Sequence, residues 1–218
     1  MSGRFAVVVP TYNGVEVVEA ALRSLAEQRD APWDRVTRVV VSDDASSDGT
    51  AELAERVWPA DHPAELVIRQ LATNGGMWRN KNGAIESLAG VADWALILHQ
   101  DDLAEPGWVR ETIRQLDAAG DTVVSVSSDW LTEYPDGRVE GRADHPGQAR
   151  PFVGRDAIRN TLKVGCWWHI SGAAVRVDDF LRSGGFSTGY AYYGDLDYVL
   201  RTLERGRQIN FLDLPLIR

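Results

Sequence analysis

An apolar run, Ala95-Leu96-Ile97-Leu98, stops at His99-Gln100-Asp101-Asp102, and that junction limits what this chain can fold into. A buried strand that ends in adjacent carboxylates concentrates negative charge at a sheet edge. The arrangement costs stability unless something positive is held there. A divalent cation carrying a diphosphate is the natural occupant, because hard cations prefer carboxylate oxygen. Taken alone, the pair is equally a solvated turn between a strand and a loop. Two further acidic clusters bear on the choice.

The rest of the chain sets these clusters in a repeating frame. Residues 4–10 read as a buried, β-branched strand ending at Pro10-Thr11-Tyr12-Asn13-Gly14. Val17, Val18, Ala21, Leu22 and Leu25 then have the spacing of an amphipathic helix over 15–28. A second buried strand, 36–42, stops at Asp43-Asp44, and Ser46-Ser47-Asp48-Gly49-Thr50 supplies capping residues for a helix over 51–57. The pattern continues with a strand at 65–71, a helix at 81–89, a strand at 94–98 and a helix at 106–118, with Pro106 near its start and Gly120 beyond its end. Alternation of this kind predicts an α/β fold with a mostly parallel, Rossmann-like sheet flanked by helices. After a strand at 123–128 the pattern loosens. Residues 129–151 read as hairpin or loop, 167–177 as a strand, and 178–183 and 195–205 as short helices. A soft boundary near residue 120 divides one compact unit into an α/β half, 1–120, and a smaller mixed half, 121–218.

Composition excludes several classes of function. The 218 residues suffice for one sizeable core, and 44% hydrophobic with 25% charged residues is ordinary for a globular chain. A net charge of −9 gives no general attraction to nucleic acid or anionic lipid. No apolar run is long enough to span a bilayer, and the first residues lack a signal-peptide layout. Cys166 is the one cysteine, so no internal disulfide forms; a reducing, cytoplasmic setting is expected. Phosphate-loop, dinucleotide-fingerprint, zinc-protease and nucleophile-elbow signatures are all absent.

In open α/β sheets, ligands bind beyond the carboxyl ends of the strands. Thr11-Tyr12-Asn13, Asp43-Asp44 and Asp101-Asp102 each follow a predicted strand, and parallel pairing would bring all three to one edge. Asp43 is suited to accept bonds from a base or ribose hydroxyl, or to hold a turn. In Asn74-Gly75-Gly76-Met77-Trp78-Arg79-Asn80 the glycines permit close backbone approach, and Arg79 or Lys81 could meet phosphate; the same stretch also suits a plain surface loop. Downstream lie Gly184-Gly185-Phe186 and Gly194-Asp195-Leu196-Asp197, where Asp195 opens a helix and is equally a cap. Trp167, Trp168 and His169, ahead of Ser171-Gly172, could surround a sugar or pack as a strand.

Taken together, these segments resemble the family 2 glycosyltransferases of GT-A fold, over nearly the whole chain and in the expected order. Val7-Val8-Val9-Pro10-Thr11-Tyr12-Asn13 is similar to the family's opening strand. The stretch from Val41 through Asp43-Asp44 to Ser46-Ser47-Asp48-Gly49-Thr50 is the most specific match. Asn74-Gly75-Gly76 with Asn80, Asn82 and Gly83 resembles the loop and helix before the metal motif, which Leu98-His99-Gln100-Asp101-Asp102 resembles in turn. Gly194-Asp195-Leu196-Asp197 with Arg201 resembles the region of the catalytic acid pair.

The resemblance implies a nucleotide-sugar donor, UDP- or dTDP-linked, held by Pro10, Thr11, Tyr12, Asn13, Asp43, Asn74, Gly75, Arg79, Asn82 and Asp101. It implies Mg²⁺ or Mn²⁺ on Asp102, and Asp195 as the general base that deprotonates a hydroxylated acceptor, a small metabolite or a glycan. Trp167, Trp168, His169 and Asp197 fall on the acceptor side. Two positions depart from the family pattern. His99 stands where many members have Asp, and Gly194 where many have Glu, which leaves Asp195 as the base and Asp197 as its substitute. The other readings are a non-catalytic nucleotide-sugar-binding module and a sugar-nucleotide pyrophosphorylase. The second of these would need a Gly- and Arg-rich loop after the first strand, which Pro10-Thr11-Tyr12-Asn13-Gly14 does not provide.

Overall fold

The computed structural model describes residues 3–141 and 149–218. Its centre is an eight-stranded sheet. The strands in chain order are β1 (Phe5–Thr11), β2 (Val36–Asp43), β3 (Glu65–Gln70), β4 (Trp94–Ile97), β5 (Val123–Trp130), a separate small hairpin of β6 (Thr132–Glu133) and β7 (Val139–Glu140), then β8 (Ala149–Phe152), β9 (Ala174–Arg176) and β10 (Gln208–Ile217). The order across the main sheet is β3-β2-β1-β4-β9-β5-β10-β8. β1 is parallel to β2 and to β4, β2 to β3, and β5 to β10; β9 and β8 run against their neighbours.

The helices are α1 (Val18–Ala26), α2 (Thr50–Val57), α3 (Met77–Glu86), α4 (Trp108–Asp117), α5 (Gly154–Val164), α6 (Val177–Ser183) and α7 (Gly194–Glu204). They cover both faces of the sheet, and the period-2 alternation of the strands decides which side chain meets which layer. Phe5, Val7 and Val9 of β1, with Val39 and Val41 of β2 and Leu96 of β4, pack with Val18, Leu22 and Leu25 of α1 and with Trp108 and Ile113 of α4. Ala6, Val8, Val40, Ala95 and Ile97 point the other way, onto Ile85 of α3, Phe180 of α6 and Tyr198 and Val199 of α7. A strand buried on both faces can be apolar at every position, which is why β1, β2 and β4 read as continuous apolar runs.

The register aligns the strand ends. Val9 lies opposite Val41 and Thr11 opposite Asp43, while Val8 lies opposite Ile97. The residues after β1, β2 and β4 therefore come out side by side. No helix among the described residues is long and apolar enough to cross a membrane.

Several expectations need correction. The helix expected over 81–89 begins a turn earlier, at Met77, because the Asp44 carboxylate accepts the Gly75 and Gly76 N–H groups at 2.8 and 2.9 Å and fixes the turn that leads into it. Of the strand expected over 167–177 only Ala174–Arg176 forms, and Val177 already begins α6. The stretch 129–151, expected as hairpin or loop, does contain a hairpin, β6–β7, and also takes in the end of β5 and the start of β8; residues 142–148 lie outside the described residues. Two elements had no counterpart in the sequence reading, the helix α5 and the long strand β10 that pairs with both β5 and β8.

Asn80 ties the strand ends together. Its amide donates to the Ser42 carbonyl at 2.7 Å and the Thr11 carbonyl at 3.3 Å, and accepts the Ser42 hydroxyl at 2.6 Å, all in a buried setting. Asn80→Ala leaves these groups without their partner. It should cost about 1–3 kcal/mol of folding stability, read from urea unfolding; an unchanged midpoint would show that the strand ends hold their register without it.

Candidate active site

The loop after β1 is clamped to the loop after β4. The Tyr12 N–H donates to Gln100 Oε1 at 2.9 Å, and Gln100 Nε2 donates to the Tyr12 carbonyl at 3.2 Å. Gly14 makes room for this clamp, since a Cβ there would stand 2.3 Å from Gln100 Oε1. Asn13 fastens the same loop to the start of α2, its N–H donating to Ser46 Oγ and its Oδ1 accepting the Ser47 N–H. Between these loops and α3 opens a cleft of about 470 Å³ lined by Pro10, Thr11, Tyr12, Asp44, Asn74, Gly76, Met77, Asn80, Lys81, His99, Gln100 and Asp101. A second cleft of about 500 Å³ adjoins it at Asp101 and is walled by Asp102, Trp130, His169 and Arg218, among others. The carboxylate pair after β4 stands between the two.

The acidic residues differ in what they have left to offer. Asp43 is wholly buried and accepts the Thr11 hydroxyl at 3.0 Å, the Ser46 N–H at 2.9 Å and the Ser46 hydroxyl. Asp44 is occupied by the two glycine N–H groups before α3. Asp101 is exposed, and Asp102 is half-buried with its carboxyl raised above its ordinary value, chiefly by burial, with the Asp101 charge adding and the Ser171 hydroxyl opposing.

Lys81 is the lysine of this cleft. Its side chain is buried, with Nζ 3.8 Å from Met77 Sδ and 5.0 Å above the Trp78 ring. Burial lowers its ammonium to about 8, while the charges of Asp195, Asp101 and Asp102 work in the opposite direction. Burial also takes the His99 imidazole well below its ordinary value, and the neighbouring Lys81 and His169 add to that. Asp195 sits in the first turn of α7, half-buried, accepting the Leu196 N–H at 2.8 Å.

Other residues singled out in the sequence lie elsewhere. Arg79 is exposed and, with Gly75, lines a crevice beside Thr188 and Tyr190 that adjoins the first cleft at Gly76 and Met77. Asn82 holds the backbone of Phe186 on both sides, at 2.8 and 2.9 Å. Trp168 is core, its indole N–H on the Ser125 hydroxyl at 3.0 Å. Trp167 stacks on Phe152 with ring centroids 3.8 Å apart, and Asp197 pairs with Arg201 at 2.7 Å. Of the aromatic run, His169 lines the second cleft, where it stacks with Trp130. Gln100, Asp44 and Met77 line the first cleft without having been singled out. Gln100 had no local signal, because a clamp between loops 88 residues apart has no periodicity.

A sequence model described as Glycosyl transferase family 2 matches residues 6–179. The chain belongs to glycosyl transferase family 2. Among curated relatives it is 36% identical over 100 residues to the poly(ribitol-phosphate) beta-N-acetylglucosaminyltransferase TarS of Staphylococcus aureus, covering 45% of this chain and 16% of that protein. It is 32% identical over 94 residues to the abequosyltransferase RfbV of Salmonella typhimurium, covering 43% of this chain and 27% of that protein. The family chain thus spans well under two thirds of the length of these relatives. In three dimensions it is similar to residues 1–349 of S. aureus TarS in complex with UDP-GlcNAc, with a TM-score of 0.76 and 21% identity over 98% of this chain and 57% of that one. It is similar too to the mannosyltransferase PcManGT of Pyrobaculum calidifontis in complex with GDP-Man and Mn²⁺, with a TM-score of 0.69 and 23% identity over 99% and 58%. The α/β fold with its mostly parallel sheet is the GT-A architecture those TarS structures share.

The family chain's departure at Gly194 has a structural account. A Cβ at this position would lie 2.8 Å from two carbons of the Trp78 indole and 3.0 Å from the Ser187 carbonyl. Trp78 is itself held, its Nε1 donating to the Ala191 carbonyl at 3.2 Å. The indole fills the space a side chain would need, so the residue before Asp195 has to be glycine. Gly194→Ala should destabilise the protein by about 1–3 kcal/mol, and most of that loss should vanish in a Trp78→Leu background. Additive losses in the double variant would show that the two positions are independent.

Proposed function

We propose that this chain is the donor-binding and catalytic unit of an inverting glycosyltransferase, which moves a sugar from a nucleoside diphosphate, UDP or dTDP, to a hydroxylated acceptor. The observation that carries this reading is the strand-end cleft lined by the buried Lys81 and by Asp101, which with His99 and Asp102 brings ligand atoms within 4.8 Å of one another. The nucleoside lies along Pro10, Thr11 and Tyr12. Asp43, with Asn13, acts on it through the loop they hold, and Asn74 and Gly76 form the opposite wall. Asp101 faces the ribose or the donor sugar. Lys81, rather than the exposed Arg79, meets the diphosphate. His169 is the acceptor-side residue that lines a cleft.

The side chains present fit a divalent cation, Mg²⁺ or Mn²⁺. His99, Asp101 and Asp102 each offer one ligand atom, all within 4.8 Å of one another, and His99 Nε2 is buried without a hydrogen-bond partner among the described residues. Asp102 is the principal carboxylate for it. When bound, such a cation neutralises the charge that grows on the departing diphosphate.

In the transfer, the acceptor oxygen forms its bond to the anomeric carbon as the bond from that carbon to the diphosphate oxygen breaks. The electron pair leaves with the diphosphate, whose charge Lys81 offsets. The acceptor's proton passes to the Asp195 carboxylate, a contribution of ~10²–10⁴-fold for a positioned base. Attack opposite the leaving group inverts the anomeric configuration.

Two measurements test this. A thermal-shift screen of nucleoside diphosphates and nucleotide sugars with Mn²⁺, Mg²⁺ or EDTA should reveal one stabilising nucleotide, since a ligand of the folded state raises its stability. Asp195→Asn should keep that shift and lose transfer by ~10²-fold or more, and the wild-type product should carry the inverted linkage by NMR. Normal turnover in the variant would move the base elsewhere, Asp197 first, and a retained linkage would reject the mechanism.

The position of Lys81 gives a pH dependence. Nucleoside diphosphate binding in EDTA should weaken between pH 7 and 9, as the ammonium with its value of about 8 is lost, and Lys81→Met should remove that dependence. Folding runs the other way. The unfolded lysine titrates near ~10.4 and keeps its proton where the folded one has released it, so stability rises with pH from about 8 upward. Binding that is flat across this range would remove Lys81 from the diphosphate site.

A further inference from the structure

His99 is the residue at the cation site that differs in kind from the carboxylates around it. Among the described residues it joins Asp101 and Asp102 in a group whose ligand atoms fall within 4.8 Å, with His99 Nδ1 3.8 Å from Asp102 Oδ2. Ser171 stands beside both residues, since its Oγ accepts the His99 backbone N–H at 3.0 Å and its hydroxyl favours the ionised Asp102 carboxylate. The nearby His169 has its Nδ1 on the Ser171 carbonyl at 2.8 Å. His99 has no such bond, and its Nε2 is buried and unpartnered among the described residues. A buried polar atom in that condition calls for an occupant.

We propose that His99 is a ligand of the divalent cation and that it sets the site's preference toward Mn²⁺ over Mg²⁺. The inference rests on the cation site described above and adds to it the identity of the third ligand and its consequence. Mg²⁺ takes oxygen donors in near-ideal octahedral geometry and keeps its waters. An imidazole nitrogen instead suits first-row transition ions, whose affinity for nitrogen donors rises along the series that begins with Mn²⁺. Replacing a carboxylate by a neutral imidazole also removes one negative charge from the site, which weakens the hard, strongly hydrated Mg²⁺ most.

The test uses Mn²⁺ as the probe, with the whole chain, alone and with uridine diphosphate. Free Mn²⁺ is counted by electron paramagnetic resonance, Mg²⁺ affinity is read by competition, and bound Mn²⁺ is examined by electron spin echo for coupling to ¹⁴N. Wild-type protein should show nitrogen coupling that changes on [¹⁵N]histidine labelling. His99→Asp should still bind Mn²⁺, lose the coupling, and lower the ratio of Mg²⁺ to Mn²⁺ dissociation constants by roughly 10-fold or more, the scale on which a ligand's partners already tune metal affinity. His169→Asn should keep the coupling. Bound Mn²⁺ without nitrogen coupling, coupling that survives in His99→Asp, or no Mn²⁺ binding with or without uridine diphosphate would each overturn the proposal. The wild-type signal decides the question even if His99→Asp does not fold. Nitrogen-coupled Mn²⁺ in a protein that binds no nucleoside diphosphate would leave this inference standing and remove the donor reading alone.

Discussion

Four carboxylates crowd one edge of the sheet, two at the end of β2 and two just beyond β4, and the fold handles the pairs differently. Helical crossovers between successive strands make β1, β2 and β4 parallel neighbours, and parallel neighbours deliver their ends to the same edge. The charge this gathers is then divided. Asp43 and Asp44 are satisfied by backbone N–H and hydroxyl groups, as buried carboxylates must be, and they shape the loops around the cleft. Asp101 and Asp102 keep free oxygens and stand between two clefts. An acidic edge thus becomes a scaffold on one side and, on the other, a carboxylate pair open to both clefts.

The ten-residue helix α3 connects the parts. At its start the glycine N–H groups meet Asp44; Asn80 bonds β1 and β2; Lys81 enters the cleft; Asn82 holds Phe186; and Trp78 supports Ala191 and excludes any side chain at Gly194. These residues lie on different sides of one helix, so the strand-end cleft and the segment leading into Asp195 are set by a single rigid element. Under the proposed mechanism this gives the leaving group and the base a common reference. It also accounts for a glycine directly before Asp195 in packing terms.

Much of the frame was legible because the period of the apolar residues is a local property. The alternation of β1, β2 and β4 with α1, α2 and α4 follows from runs such as Val7-Val8-Val9 and Val39-Val40-Val41 and from the spacing of Leu22 and Leu25. β10 was not legible. Asp213 and Pro215 interrupt its apolar pattern, and only the pairing with β5 and β8, with Arg150 against the buried Asp213, makes a strand of it. The aromatic run Trp167-Trp168-His169 read equally as the surround of a sugar or as a packed strand, and neighbouring residues turn to different surroundings: Trp168 into the core, Trp167 onto Phe152, and His169 to a cleft.

By itself the sequence determined that an α/β sheet forms and that three polar strand ends meet, because apolar periodicity and strand length need no distant partner. It also determined the family, whose model matches residues 6–179 with Asp43-Asp44 and Asp101-Asp102 among them. Tertiary structure decided which of these groups remain available. Arg79 and Lys81 are two residues apart, and nothing local says which faces the phosphate side. Once α3 begins at Met77, about 200° of helical rotation separates them, and Lys81 returns to the side of Met77 while Arg79 faces solvent. Whether a carboxylate holds a loop or stays open depends on which N–H groups fold back onto it, and for Asp44 those N–H groups come from residues some thirty positions away.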